Sequence, residues 1–112
     1  MSAAGEPEGA WDLSFAYSDD PLAWDLSTAA YSNQSFFVSS QETIPRAVSF
    51  KPDGTRMYVT GLNSDNVNEY ALSPAWDLSS AFFFRSFSVA DQDSGPAGLF
   101  FKPDGTKMYV LG

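Results

Sequence analysis

Apolar residues in this chain come in short bursts separated by turn-forming clusters, and few windows carry the i, i+3, i+4, i+7 spacing of an amphipathic helix. The pattern predicts strands. Two bursts flank each copy of a turn phrase, "FKPDGTRMYV" at 50–59 and "FKPDGTKMYV" at 101–110, which agree at nine of ten positions and lie 51 residues apart. In each phrase the proline presets φ for the first central turn position, and the glycine after the aspartate can take positive φ, so each reads as a β-hairpin. The strand entering the first turn is 46–50 and the strand leaving it is 56–60; the second pair is 98–101 and 107–111. The cluster at 63–66 is loop chemistry, a third strand follows at 67–72, and a Phe-rich run at 81–89 is the fourth. Met57, Tyr58 and Val59 put apolar groups on both faces of the second strand, which suits a sheet covered on each side.

Four strands per period of about 51 residues is the sequence mark of a β-propeller, whose blades are four-stranded antiparallel sheets. We label the strands A (46–50), B (56–60), C (67–72) and D (81–89), with the next A beginning near Ala97. The phrase Phe-Lys-Pro-Asp-Gly-Thr-(Lys/Arg)-Met-Tyr-Val-(Thr/Leu)-Gly resembles the repeat of YVTN-type β-propellers, and Tyr58-Val59-Thr60-Gly61 stands where that family carries its name-giving tetrapeptide. The resemblance covers residues 23–112. Tandem "AWDLS"-like phrases are also similar to segments of marine bacterial and phage proteins. The resemblance implies an all-β fold. It implies no single function, because related blades serve enzymes, lectins and scaffolds alike.

The phrase "AWDLS" occurs three times, from Ala10, Ala23 and Ala75, against only two hairpins. Laid on the blade, the chain runs D (29–38), A, B, C, D, A, B, and residues 14–22, "SFAYSDDPL", occupy the slot that "NVNEYALSP" fills before the Ala75 phrase. They are therefore expected to be strand C. Residues 1–22 become an N-terminal arm donating that strand to a blade shared between subunits, and 23–112 hold the repeats. Two blades' worth of strands in permuted order cannot close a propeller, which takes roughly 4 to 8. Left open, the chain would expose unpaired sheet edges and aromatic blade faces. Strand exchange between head-to-tail copies removes both problems, so the expected partner is the chain itself, as a trimer or tetramer of six or eight blades. Trp11, Phe15, Tyr17, Met108 and Val110 are the candidate inter-subunit contacts. Trp24 and Trp76 are expected to fill gaps between blades. A longer parent with further blades is the other source of closure.

Composition narrows the chemistry. The 112 residues include no cysteine and no histidine, so disulfides, thiolate metal sites, thiol nucleophiles and imidazole bases are excluded. A formal charge of −8 argues against nucleic acid as a partner. No stretch reaches the roughly 20 apolar residues of a membrane span, and "MSAAGEPEGA" lacks the basic and apolar regions of a signal peptide. The expectation is a soluble protein without a membrane partner, cytoplasmic or virion-associated.

A lactonase-like hydrolase would need carboxylates or amides on the inner A strands, and "RAVSF" and "AGLFF" offer no carboxylate. "DQDSG" at 91–95 lacks the remaining ligands of a calcium loop. No catalytic residue, metal ligand or cofactor site is assigned. A lectin would use aromatic platforms and amides between blades, for which Trp24, Asn63, Asn66 and Tyr70 are the candidates. The favoured expectation is a non-catalytic ring that associates with itself and offers a face to a glycan or protein ligand. Arg46, Lys51, Arg56, Lys102 and Lys107 flank the hairpins, while Glu42, Asp65, Asp91 and Asp93 lie in the opposite loops, which suggests a basic collar and an acidic crown.

Overall fold

A computed structural model describes residues 9–14 and 24–112. Among them the fold is all-β and antiparallel, with two single 3₁₀ turns and no α-helix. Its strands are β1 (Gly9–Ser14), β2 (Ala30–Phe37), β3 (Pro45–Phe50), β4 (Arg56–Gly61), β5 (Asn66–Ala71), β6 (Phe82–Ser88), β7 (Gly98–Phe101) and β8 (Met108–Leu111). They form a central four-stranded sheet in the order β3-β4-β5-β6, flanked by the two-stranded sheets β1-β2 and β7-β8.

The hairpins form as their residues require. Gly54 has φ 75° and Gly105 φ 76°, a left-handed conformation that glycine adopts without a Cβ penalty. In the first turn Gly54 N–H donates to Lys51 O (2.8 Å), and the Thr55 N–H and hydroxyl both donate to Asp53 Oδ1 at 3.0 and 2.6 Å. The second turn repeats the pattern, with Thr106 donating to Asp104 Oδ1 at 3.0 and 2.7 Å. These bonds hold the Asp53 and Asp104 carboxyls below the usual aspartate range.

The register repeats as well as the sequence. Val48 faces Val59 and Phe50 faces Met57 across β3-β4, and Leu99 faces Val110 and Phe101 faces Met108 across β7-β8. The sheet β1-β2 likewise matches β5-β6. Gly9 pairs with Phe37 where Asn66 pairs with Ser88, and Leu13 pairs with Tyr31 where Tyr70 pairs with Phe83. Both ladders shift register at the same step, between Asp12 and Leu13 and between Glu69 and Tyr70, the shift taking in two residues of β2, at 32 and 33, and one of β6, Phe84.

One difference from the sequence reading concerns the amino terminus. The described partner of β2 is Gly9–Ser14, a strand made of the first Trp phrase. Residues 15–22, the bulk of the segment expected to be strand C, lie outside the described residues, with Phe15 and Tyr17 among them. The pentapeptide "AWDLS" thus has two conformations. At Trp24 and Trp76 it is a turn whose aspartate caps a 3₁₀ segment, Asp25 accepting from Ser27 N and Asp77 from Ser79 N. At Trp11 it is extended and laddered. Its local preference is weak enough for the open side of β2 to decide.

The core lies between β1-β2 and the central sheet. Val38, Met57, Val59, Tyr70, Leu72 and Leu78 are buried there, with Ala10, Phe36, Phe50 and Ala81 packed around them. Phe36 meets Tyr70 edge-on at 5.3 Å. On the other face of the central sheet Tyr58 lies against Phe101 of β7, ring centroids 4.6 Å apart.

Candidate functional site

β1 has only β2 beside it and β8 only β7, so among the described residues each presents one unpaired edge. A cleft opens beside each edge. The larger, about 540 Å³, is lined by Trp11 and Leu13 of β1 together with Val48, Phe50, Trp76 and Leu78. The other, about 310 Å³, runs between Phe101 and Met108 of the β7-β8 pair and Val67, Glu69, Arg85 and Phe87 of the central sheet. Leu13 in the larger cleft and Phe87 in the smaller are exposed, as are Tyr31 and Phe37 of β2 and Tyr109 of β8. Clefts of this apolar character next to open strand edges are unusual on a finished surface.

The two tryptophans of the turn phrase differ sharply in setting. Both have left-handed backbones, φ 71° at Trp24 and 67° at Trp76, a strained conformation for a bulky residue. Trp76 is held down. Its backbone N–H donates to Gly54 O at 2.8 Å and its indole covers Gly54 and leans on Phe50, centroids 5.3 Å apart. Trp24 is 90 % exposed. Gly105, the counterpart of Gly54, has open space where the Trp76 indole lies over Gly54.

Polar groups are largely engaged within the chain. Glu42 is fully buried, accepting from Ile44 N (2.9 Å), Asn63 N (3.0 Å), Ser64 N (3.0 Å) and Ser64 Oγ (2.6 Å). Burial pushes its carboxyl up, but the four donors more than offset that and hold it below the ordinary value. Glu69 takes Arg56 at 3.2 Å and Arg85 at 2.7 Å, and both guanidiniums lie over Phe84. Lys51 pairs with Asp53 and Lys102 with Asp104 inside their own turns. The expected collar and crown are therefore muted, because several of their charges are neutralised locally or buried.

The candidate ligand residues do not converge. Asn63 lies in the β4-β5 turn and Asn66 opens β5; the Asn63 N–H is committed to Glu42 and Asn66 O accepts from Thr60 Oγ1 at 2.8 Å. Tyr70 is fully buried between Phe36 and Phe83, its hydroxyl donating to Gln41 Oε1 at 3.0 Å, and burial raises its pKa. Trp24 lies in the β1-β2 connection, at the end of β2 opposite the Glu42 loop. Of the candidate contact residues, Trp11 borders the larger cleft, and Met108 and Val110 are half-buried on β8 beside its free edge. Sequence reasoning passed over Phe50, Phe87, Gly105 and Tyr109 as site residues. The signal was present in the one-period offset between Gly54 and Gly105 and between Tyr58 and Tyr109.

Among the described residues no three acidic, histidine or cysteine side chains gather as a metal site, and no helix is long and apolar enough to cross a membrane. Comparison with protein-family models, with curated proteins and with solved structures returns no match.

Proposed function

We propose that this chain is a non-catalytic, self-assembling β-propeller module of the YVTN-like kind. Each copy supplies one whole blade, β3 to β6, and two half-blades, and copies join head to tail into a symmetric ring that serves as a structural or binding scaffold. The observation that carries the reading is the match of each flanking pair to one half of the central sheet. β7-β8 repeats the register of β3-β4, and β1-β2 repeats that of β5-β6 down to the position of its bulge. Each half-sheet lacks what the other provides. Strand addition between copies is a known way to satisfy such edges, and a heterologous contact closes when its rotation divides the circle. A trimer or tetramer falls within the roughly 4 to 8 blades that propellers use.

The scaffold reading is preferred to carbohydrate binding because Trp24, Asn63, Asn66 and Tyr70 do not line a common surface. It is preferred to hydrolysis because the inner strands β3 and β7 carry no carboxylate. Light scattering over a wide dilution series tests it. A discrete mass of three or four times 12.2 kDa that survives dilution is expected. A folded monomer at every concentration would overturn the reading, and a glycan-array signal lost on Trp24→Ala would move it to the lectin class.

A further inference from the structure

The central sheet contains, within one chain, the junction that a second copy would have to make. β4 pairs with β5 so that Met57 faces Tyr70, Tyr58 faces Glu69, Val59 faces Asn68 and Thr60 faces Val67. The hairpin repeat carries Met57 onto Met108 and Thr60 onto Leu111, while the matched ladders carry Tyr70 onto Leu13 and Val67 onto Ala10. The same mapping carries the Trp76 cover of Gly54 onto Trp24 and Gly105. In this structure the first of these is covered and the second is open.

Resting on the assembly reading above, we infer that β8 of one copy pairs antiparallel with β1 of the next in a single register, Met108 opposite Leu13 and Leu111 opposite Ala10, locked by Trp24 of the second copy seated on Gly105 of the first. The occupant of both open edges is a second copy of this chain. Four independent features converge on it. Trp24 carries left-handed backbone strain with its indole 90 % exposed, whereas Trp76 in the same conformation is packed. Gly105 has the backbone and the vacant face that the indole needs. The cleft bordered by Phe50 is where the contact between Tyr58 and Phe101, moved one blade back, places Tyr109 of the neighbouring copy. The cleft bordered by Phe87 is where the contact between Phe36 and Tyr70, moved one blade forward, places Leu13 of the following copy. Each copy thus gives β8, Gly105, Tyr109 and Phe87 to one neighbour, and β1, Trp24, Phe50 and Leu13 to the other. An assembly built on different patches at its two ends is heterologous, so it propagates or closes into a ring.

The absence of cysteine allows a direct test of register. Directly opposed residues in an antiparallel pair have Cα atoms roughly 4.5–5.5 Å apart, inside the roughly 4.4–6.8 Å that a disulfide spans. A pair three residues out of register is displaced by roughly 10 Å. Leu13→Cys chains are mixed with Met108→Cys chains, or with Leu111→Cys chains as the offset control, refolded together and oxidised. A covalent heterodimer from the first mixture and not from the second is expected. If light scattering still reports a ring but only the offset pair, or neither, cross-links, the register is overturned and the ring reading stands. If the unmodified chain stays monomeric throughout, both fall, and the open edges belong to another protein or to further repeats of a longer polypeptide. The latch is tested separately on the intact sequence. Trp24→Ala and Gly105→Ala are expected to raise the concentration at which the ring dissociates at least tenfold, with the far-ultraviolet spectrum of the chain preserved. An unchanged dissociation concentration for Trp24→Ala overturns the latch.

Discussion

The indole of Trp76 lies so close over Gly54 that a Cβ there would collide with its ring. The contact ties the connection between β5 and β6 to the turn between β3 and β4, so all four strands of the central sheet are stapled at one end. Glu42 does the equivalent work at the other end, binding the loop before β3 to the turn after β4.

Gly54→Ala is expected to destabilise the chain by about 2–4 kcal/mol, through left-handed strain together with displacement of the indole. Gly105→Ala, compared below the assembly concentration, loses only the strain, about 1 kcal/mol. Denaturant unfolding of the two variants measures the difference, and equal losses would mean that the Trp76 cover contributes nothing.

Glu42→Gln keeps the shape of the side chain but leaves one set of backbone donors facing an amide. A loss of about 2–3 kcal/mol at neutral pH is expected, because hydrogen bonds to a buried charge exceed neutral ones. The folded-state pKa of Glu42 lies below its ordinary 4.5. Its contribution is therefore present in full above that value and is lost as pH falls through the lower folded pKa. Unfolding free energy of the parent chain should fall on acidification below about pH 4.5 more steeply than that of Glu42→Gln. Parallel pH profiles would rule out this role.

Tyr70→Phe removes one hydrogen bond, to Gln41, and should cost about 1 kcal/mol. Tyr70→Ala empties a site packed by Phe36 and Phe83 and should cost about 3–5 kcal/mol. A thermal-melt series in which the two are alike would place the importance of this residue in its hydroxyl instead of its ring.

Glu69→Gln releases both Arg56 and Arg85 from a half-buried carboxylate, and a loss of about 1–2 kcal/mol, shrinking as salt is raised, is expected. The measurement is the urea midpoint at low and high ionic strength. Salt-independent loss would assign the effect to packing over Phe84.

Much of this molecule was legible without coordinates because the information was local. A Pro-Asp-Gly turn needs only its own residues to close, and short apolar bursts bounded by turn clusters mark β3, β4, β5 and β7 whatever surrounds them. Even the four-strand period could be counted from the spacing of the two hairpins. The candidate ligand set was less well served, since Tyr70 reads as an exposed platform or a core aromatic depending on whether Phe36 lies over it.

Two decisions belonged to tertiary structure alone. The sequence "AWDLS" becomes a capped turn at Trp24 and Trp76 and a strand at Trp11, because a five-residue segment gains too little from its own contacts to resist an open ladder beside it. Trp76 is covered and Trp24 bare for a similar reason. The local backbone of both is the same, and only the presence or absence of a hairpin glycine beneath the ring separates them. Local chemistry specified the pieces and their periodicity; long-range pairing free energy, which no single segment carries, decided which pieces meet.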